Sequence, residues 1–222
     1  MDFNIGTIIW LIVLIFSAIL HEVAHGWLAD RFGDPTARLS GRLTLNPRSH
    51  IDLFMTILLP LMLIVSHSPV IFGGAKPVPV DPYNLKEGRK DLALVALAGP
   101  LVNILLAIFA ALSIKGIAFL FPFLPVNTFS IIIVNMINNL LFIIAQVNVL
   151  LAIFNLLPIP PLDGSKVFSL LLPEREAAMY LSLSQFGVFI LLFLLVFPIF
   201  GFSLENLIFN LFNLSLTLLG LK

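Results

Sequence analysis

Residues 5–28 read IGTIIWLIVLIFSAILHEVAHGWL, and no ionisable side chain interrupts them before His21, Glu22 and His25 arrive together. The run reaches the roughly 20 apolar residues that a membrane-spanning helix needs. Each ionisable residue in such a helix costs about 2.5–3.5 kcal/mol even on the lenient insertion scale. Three within five positions therefore ask for a reason other than packing. Read as a motif, they are H-E-x-x-H: positions i and i+4 of a helix share one face, so both imidazoles can reach one metal ion. Glu22, beside the first imidazole, is placed to take the proton of an attacking water. The plainer alternative is three interfacial residues standing in water with Asp30 and Arg31.

Outward from this helix the whole chain has the same character. Of 222 residues 59% are hydrophobic and 11% charged, with a mean hydropathy of +1.09, where soluble domains carry about 25% charged residues. A water-soluble globule of this composition would expose large apolar patches and aggregate, so an ordinary cytosolic enzyme and a disordered protein are both excluded. Twelve Lys and Arg balance twelve Asp and Glu, which leaves no footprint for nucleic acid. The absence of Cys excludes disulfides, thiolate metal sites and cysteine nucleophiles. Met1-Asp2-Phe3-Asn4 lacks the basic start of a secretory signal, so the first apolar run is expected to persist as a span.

Four further runs have span-like length, at about 92–113, 129–157, 180–197 and 204–219. A stretch at about 51–65 is short and holds Pro60, and 117–126 is shorter still. The expected fold is an all-α polytopic membrane protein of about five to six transmembrane helices, with a short re-entrant or extended segment between the first and second strong spans. Positively charged residues collect in 30–52, 67–91 and 158–176, and the positive-inside rule places all three segments on the cytoplasmic side. That requires 51–65 to enter the membrane without crossing it. Residues 70–82 are expected to be extended, because Pro and the residues before it avoid the α region.

A catalytic zinc takes three protein ligands and keeps one open position. Without Cys, the third ligand is His, Asp or Glu, and the candidates are His50, His67, Asp52 and Asp163. Asp163 stands in Asn155-Leu156-Leu157-Pro158-Ile159-Pro160-Pro161-Leu162-Asp163-Gly164. Pro158 obstructs continuation of the preceding helix, and the prolines after it present the carboxylate from a non-helical mount. The alternative is a loop Asp at the start of a helix beginning near Ser165. Parity favours Asp163: with 51–65 re-entrant, the third strong span delivers Asp163 to the side on which the first delivers His25.

These residues resemble the site-2 proteases, a family of intramembrane zinc metalloproteases. His21-Glu22-x-x-His25 is similar to the first family motif, Leu162-Asp163-Gly164 to the second, and Ala98-Gly99-Pro100-Leu101-Val102-Asn103 to the A-G-P-x-x-N helix between them. Arg42 to Pro47 and Ala75 to Val80 resemble the compact subgroup without PDZ or CBS modules. Asp52-Leu53-Phe54 departs from the pattern, which has Pro and Gly after the Asp. The resemblance implies Zn2+ held by His21, His25 and Asp163, Glu22 as general base, and Asn103 at the substrate backbone or the oxyanion. For Asn103 an interhelical hydrogen bond is an equal alternative. It further implies a single integral-membrane peptidase domain over 1–222, with a catalytic core at about 1–175 and helices at about 180–219. That domain would cut locally unwound transmembrane substrates in the bilayer, near its cytoplasmic face.

An edge strand from 70–82 or 37–45 is expected to hold the unwound substrate by β-augmentation. A metal transporter using His21, His25 and Asp163 would need ionisable residues along a whole pathway, which the outer helix halves lack. A silent zinc-binding scaffold would need the ligands but not Glu22.

Overall fold

The computed structural model describes residues 5–52, 58, 62, 65, 76–123, 127–198, 201 and 203–222. Most of the 51–65 stretch, His67 and residues 70–75 lie outside them, so the expected re-entry does too. The described elements are helical, with no strand among them: α1 (Ile5–Phe32), α2 (Thr36–Leu39), α3 (Arg89–Leu120), α4 (Thr128–Leu156), α5 (Asp163–Phe168), α6 (Glu174–Ser182), α7 (Gly187–Val196) and α8 (Leu204–Leu218).

Four segments among the described residues are long and apolar enough to cross a membrane: α1, α3 with the 3-10 turn that follows it, α4, and 174–196. Most of 51–65, expected to enter without crossing, lies outside the described residues, and the fifth strong run expected from the sequence is 204–219. The latter folds as a helix of 15 residues, about 22 Å long against a hydrocarbon core of about 30 Å. Large apolar side chains such as Leu105, Phe109, Met136 and Phe189 point outward and are more than half exposed, as lipid-facing residues are.

Helix α3 is the centre of the bundle, packed against α1, α4 and α5. In its most apolar stretch 39% of residues are buried, against 28% in α1 and α4 and 11% in 174–196. Its buried positions are Ala93, Ala96, Ala98, Gly99, Pro100, Asn103, Ala107, Ala110 and Ala111, with Asp91 and Val95. Small side chains let neighbouring backbones approach closely, which is how membrane helices associate without a hydrophobic driving force between them. At one end Val13 and Leu14 of α1 meet Val147 of α4. At the other, Ala29 and Val95 enclose Leu85. Leu216 of α8 packs between Ala107 and Val149, and Leu191 with Leu204 closes over Leu157.

The ends of the spans are made by local chemistry. Helix α1 stops at Gly33, whose φ of 112° suits a residue without Cβ. Gly33 N–H returns to Asp30 O and Asp34 N–H to Ala29 O, the two bonds of a Schellman cap. The chain turns straight into α2, so 37–45 does not supply the edge strand expected there. Fully buried Asp34 then accepts from the Thr36 N–H and hydroxyl, from Asp81 N–H at 2.7 Å and from Asn84 Nδ2 at 3.1 Å. Arg42 Nη2 donates to Lys76 O and Pro77 O. Together these fasten residues 76–84 alongside the C-terminal end of α1.

Candidate metal centre

His21 and His25 lie one turn apart on α1 and are both buried, with their rings perpendicular and 4.6 Å between centroids. Asp163 begins α5, just beyond the proline-rich turn that ends α4. Its Oδ2 lies 3.1 Å from Nε2 of His21 and 3.1 Å from Nε2 of His25. The three ligand atoms fall within 4.8 Å of one another, the one such group of His, Cys, Asp and Glu among the described residues. The donor set fits zinc. With metal–ligand bonds of about 2.0–2.1 Å in a tetrahedron, ligand atoms stand roughly 3.3 Å apart, close to the 3.1 Å from Asp163 Oδ2 to each imidazole.

The far sides of both imidazoles are occupied. His25 Nδ1 donates to the Val95 carbonyl at 2.7 Å, and His21 Nδ1 lies 2.6 Å from Asn103 Oδ1. Partners of this kind orient metal-binding histidines and select their tautomer. Asp163 Oδ1 accepts from Lys166 Nζ at 2.9 Å. Burial would push the Asp163 carboxyl up, but the contacts with His21 and His25 and the Lys166 ammonium outweigh it and hold it far below the usual range. Arg89 Nη2, at the start of α3, donates to Ser169 O at 3.0 Å and Leu172 O at 2.9 Å, pinning the end of the segment that carries Asp163.

Gly99 forms the floor of the site. A Cβ there would stand 2.5 Å from His25 Nε2 and 2.6 Å from His21 Nε2, so α3 can support the two rings at this distance only without a side chain. Half-buried Glu22 stands beside the first imidazole in sequence, its Oε2 accepting the Val78 N–H at 2.7 Å. Asn103 is fully buried and uses both ends of its amide on protein: Oδ1 on His21, and Nδ2 as donor to Asn148 Oδ1 at 2.7 Å. This is the interhelical bonding weighed from the sequence as the alternative to a substrate contact.

Among the other candidates, His50 is buried away from the cluster with Nε2 2.8 Å from Thr44 O, and Asp52 is not part of it. Asn155 donates to Leu151 O in its own helix. Sequence reasoning missed Asn148, Ser17, Lys166, Arg89 and the carbonyl of Val95. A polar side chain inside an apolar span was the available signal for Asn148 and Ser17, whereas a backbone carbonyl leaves no trace in sequence.

The model of peptidase family M50 matches residues 9–132 and 124–198. A protein of Bacillus subtilis named "Putative zinc metalloprotease YwhC" is 37% identical over 188 residues, covering 85% of this chain and 80% of its own. One of Mycobacterium tuberculosis named "Putative zinc metalloprotease Rip2" is 32% identical over 207 residues, 93% of this chain and 72% of its own. No solved structure matches the chain.

Proposed function

Because the chain belongs to peptidase family M50, the site-2 protease family of zinc metalloproteases, we propose that it is an intramembrane endopeptidase whose single domain, 1–222, cuts transmembrane substrates near the cytoplasmic face of the membrane. The observation that carries this reading is the cluster of His21, His25 and Asp163 within 4.8 Å, with Glu22 next to the first ligand at the end of an apolar helix. In this reading His21, His25 and Asp163 hold the metal and Glu22 is the general base. Zinc bound there supplies a Lewis acid for the scissile carbonyl and lowers the pKa of water toward about 7.

The chain's own residues do the rest. Glu22 takes the proton of the attacking water and returns it to the leaving amine. Its Oε2 is held by Val78 N–H at 2.7 Å, so the base is oriented by backbone rather than by another mobile side chain. A substrate helix hides its amides in internal hydrogen bonds and has to unwind before attack. Residues 76–81 run without regular structure beside Glu22 and are the natural support for such an unwound segment. Buried Asp163 and the α3 floor at Gly99 shield the cluster, while half-buried Glu22 and Lys166 leave the side on which water enters.

The cytoplasmic assignment rests on charge. Of the twelve Lys and Arg residues, all but Lys115 and Lys222 fall within 30–52, 67–91 and 158–176, and positive segments stay inside. The reading of the C-terminal helices as part of the same domain is supported by α8, whose Leu216 packs against Ala107 of α3 and Val149 of α4.

The test is Glu22→Gln in the full chain, assayed on a membrane-embedded substrate helix. The expected outcome is about one zinc per chain, as in the parent protein, with cleavage abolished. Full activity in that variant would refute the general-base role.

A further inference from the structure

We infer that Asn148 of α4 is a positioning residue for the metal centre: through Asn103 it sets the tautomer of His21, so that Nε2 presents a lone pair to the metal. This rests on the metal reading given above for His21. The argument runs along one chain of hydrogen bonds whose polarity can be read from its far end.

Asn148 places its Nδ2 2.9 Å from the Ile144 carbonyl, four residues earlier in its own helix, and 2.9 Å from Ser17 Oγ. A backbone carbonyl can only accept, so the group facing Ile144 must be the NH2 of Asn148. Amide oxygen and nitrogen are assigned from such networks, and here the carbonyl leaves one solution. Asn148 Oδ1 must then face Asn103 and can only accept. Asn103 therefore turns its NH2 to Asn148, at 2.7 Å, and its Oδ1 to His21 Nδ1, at 2.6 Å. An amide oxygen requires a donor, so His21 Nδ1 carries a hydrogen; Nε2, which without metal faces the Asp163 carboxylate at 3.1 Å, is then the nitrogen whose lone pair is available when the metal stands between them. His25 reaches the same state in one step, since Nδ1 faces the Val95 carbonyl directly.

Burial makes the device strict. Asn103 and Asn148 have 0% exposure, so neither amide has solvent to satisfy it if it rotates, and a buried unpaired amide is expensive. Ser17 stands one turn before His21 on α1 and closes the chain on the helix that carries the ligand, so α1, α3 and α4 are all tied into His21. Without the oxygen of Asn148, the Asn103 amide is free to turn its NH2 toward His21. The ring then has to accept at Nδ1 and carry its hydrogen on Nε2, which removes the ligand lone pair. Groups that orient metal-binding histidines typically contribute 10–100-fold to metal affinity.

The experiment uses the full chain in lipid nanodiscs, with zinc as the probe. It compares wild type with Asn148→Leu, which has similar volume and no polar atom, and with Asn148→Asp, which keeps an oxygen toward Asn103 and, held neutral by burial, an O–H donor toward Ile144. Zinc affinity is measured by chelator competition, and the hydrogen position on His21 by 15N NMR of histidine-labelled, metal-free protein at alkaline pH. The expected result is a 10–100-fold loss of zinc affinity in Asn148→Leu, wild-type affinity in Asn148→Asp, and an Nδ1–H tautomer at His21 that Asn148→Leu alone disturbs. A merely structural role for Asn148 would not move the tautomer. Zinc bound equally by wild type and Asn148→Leu, with the tautomer unchanged, overturns the relay alone. No zinc bound by wild type overturns the metal reading beneath it. Should Asn148→Leu fail to fold, the wild-type tautomer decides, and Nε2–H at His21 overturns the proposal.

Discussion

The most direct perturbation of the site is one that touches no ligand, Gly99→Ala. The added Cβ would stand 2.5 Å from His25 Nε2 and 2.6 Å from His21 Nε2 and Cε1, where ordinary contact begins at 3.4 Å. Either the rings or α3 must give way by about 0.8–0.9 Å. Metal–ligand distances are held to within about 0.2 Å, so a ring shift of that size takes the nitrogens out of the coordination sphere. Zinc affinity is then expected to fall by at least the 10–100-fold seen when ligand orientation is lost. If α3 retreats instead, the stress appears as overpacking between α1, α3 and α4, about 1–3 kcal/mol of stability. Gly116→Ala in the same helix is the matched control, because nothing lies within 4 Å of its added Cβ, and Ala favours helix over Gly by about 1 kcal/mol. Chelator competition in nanodiscs measures the affinity, and thermal unfolding of the metal-free protein measures the packing. Gly99→Ala with zinc affinity within twofold of wild type and unchanged metal-free stability would refute the reasoning.

Two further outcomes follow from the carboxylates. Asp163→Asn keeps the volume but removes the charge shared between the imidazoles, so zinc affinity should drop further than loss of a supporting group would cause, beyond about 100-fold; undiminished zinc content would mean a different third ligand. Burial pushes the Asp34 carboxyl up, but bonds from Thr36, Asn84 and Asp81 outweigh it and hold it below the usual carboxylate range. A lowered folded pKa means a contribution present above the ordinary carboxylate pKa and lost as pH falls through the folded one. Acid unfolding of the metal-free protein should therefore show a limb below about pH 4 that Asp34→Asn flattens, and identical limbs in the two proteins would remove Asp34 from that role.

What could be read before folding was whatever depends on local periodicity. The i, i+4 spacing of His21 and His25 puts two imidazoles on one helix face in any helical context, and the apolar runs announce spans because the bilayer admits little else. Pro158 and the prolines after it mark where α4 must stop. Where the described structure differs from the reading, at 37–45 and in the length of the helix at 204–218, extended propensity and bare hydropathy were asked to decide matters of length and capping. Residues 204–219 are apolar enough to suggest a span, yet their helix is too short to be one by itself.

The sequence by itself determined the chemistry available: two imidazoles and a neighbouring carboxylate on an apolar helix, no thiol, and a proline-mounted Asp. Tertiary structure decided how that chemistry is held. Asp163 lies 142 residues from His21, and only the packing of α3 between α1 and α4 brings them to 3.1 Å. Gly99, Asn103, Asn148 and the carbonyls of Val95 and Ile144 acquire their roles from that packing alone. Their significance lies in the direction of hydrogen bonds between helices, which depends on which backbones meet and at what distance. No spacing along the chain encodes that.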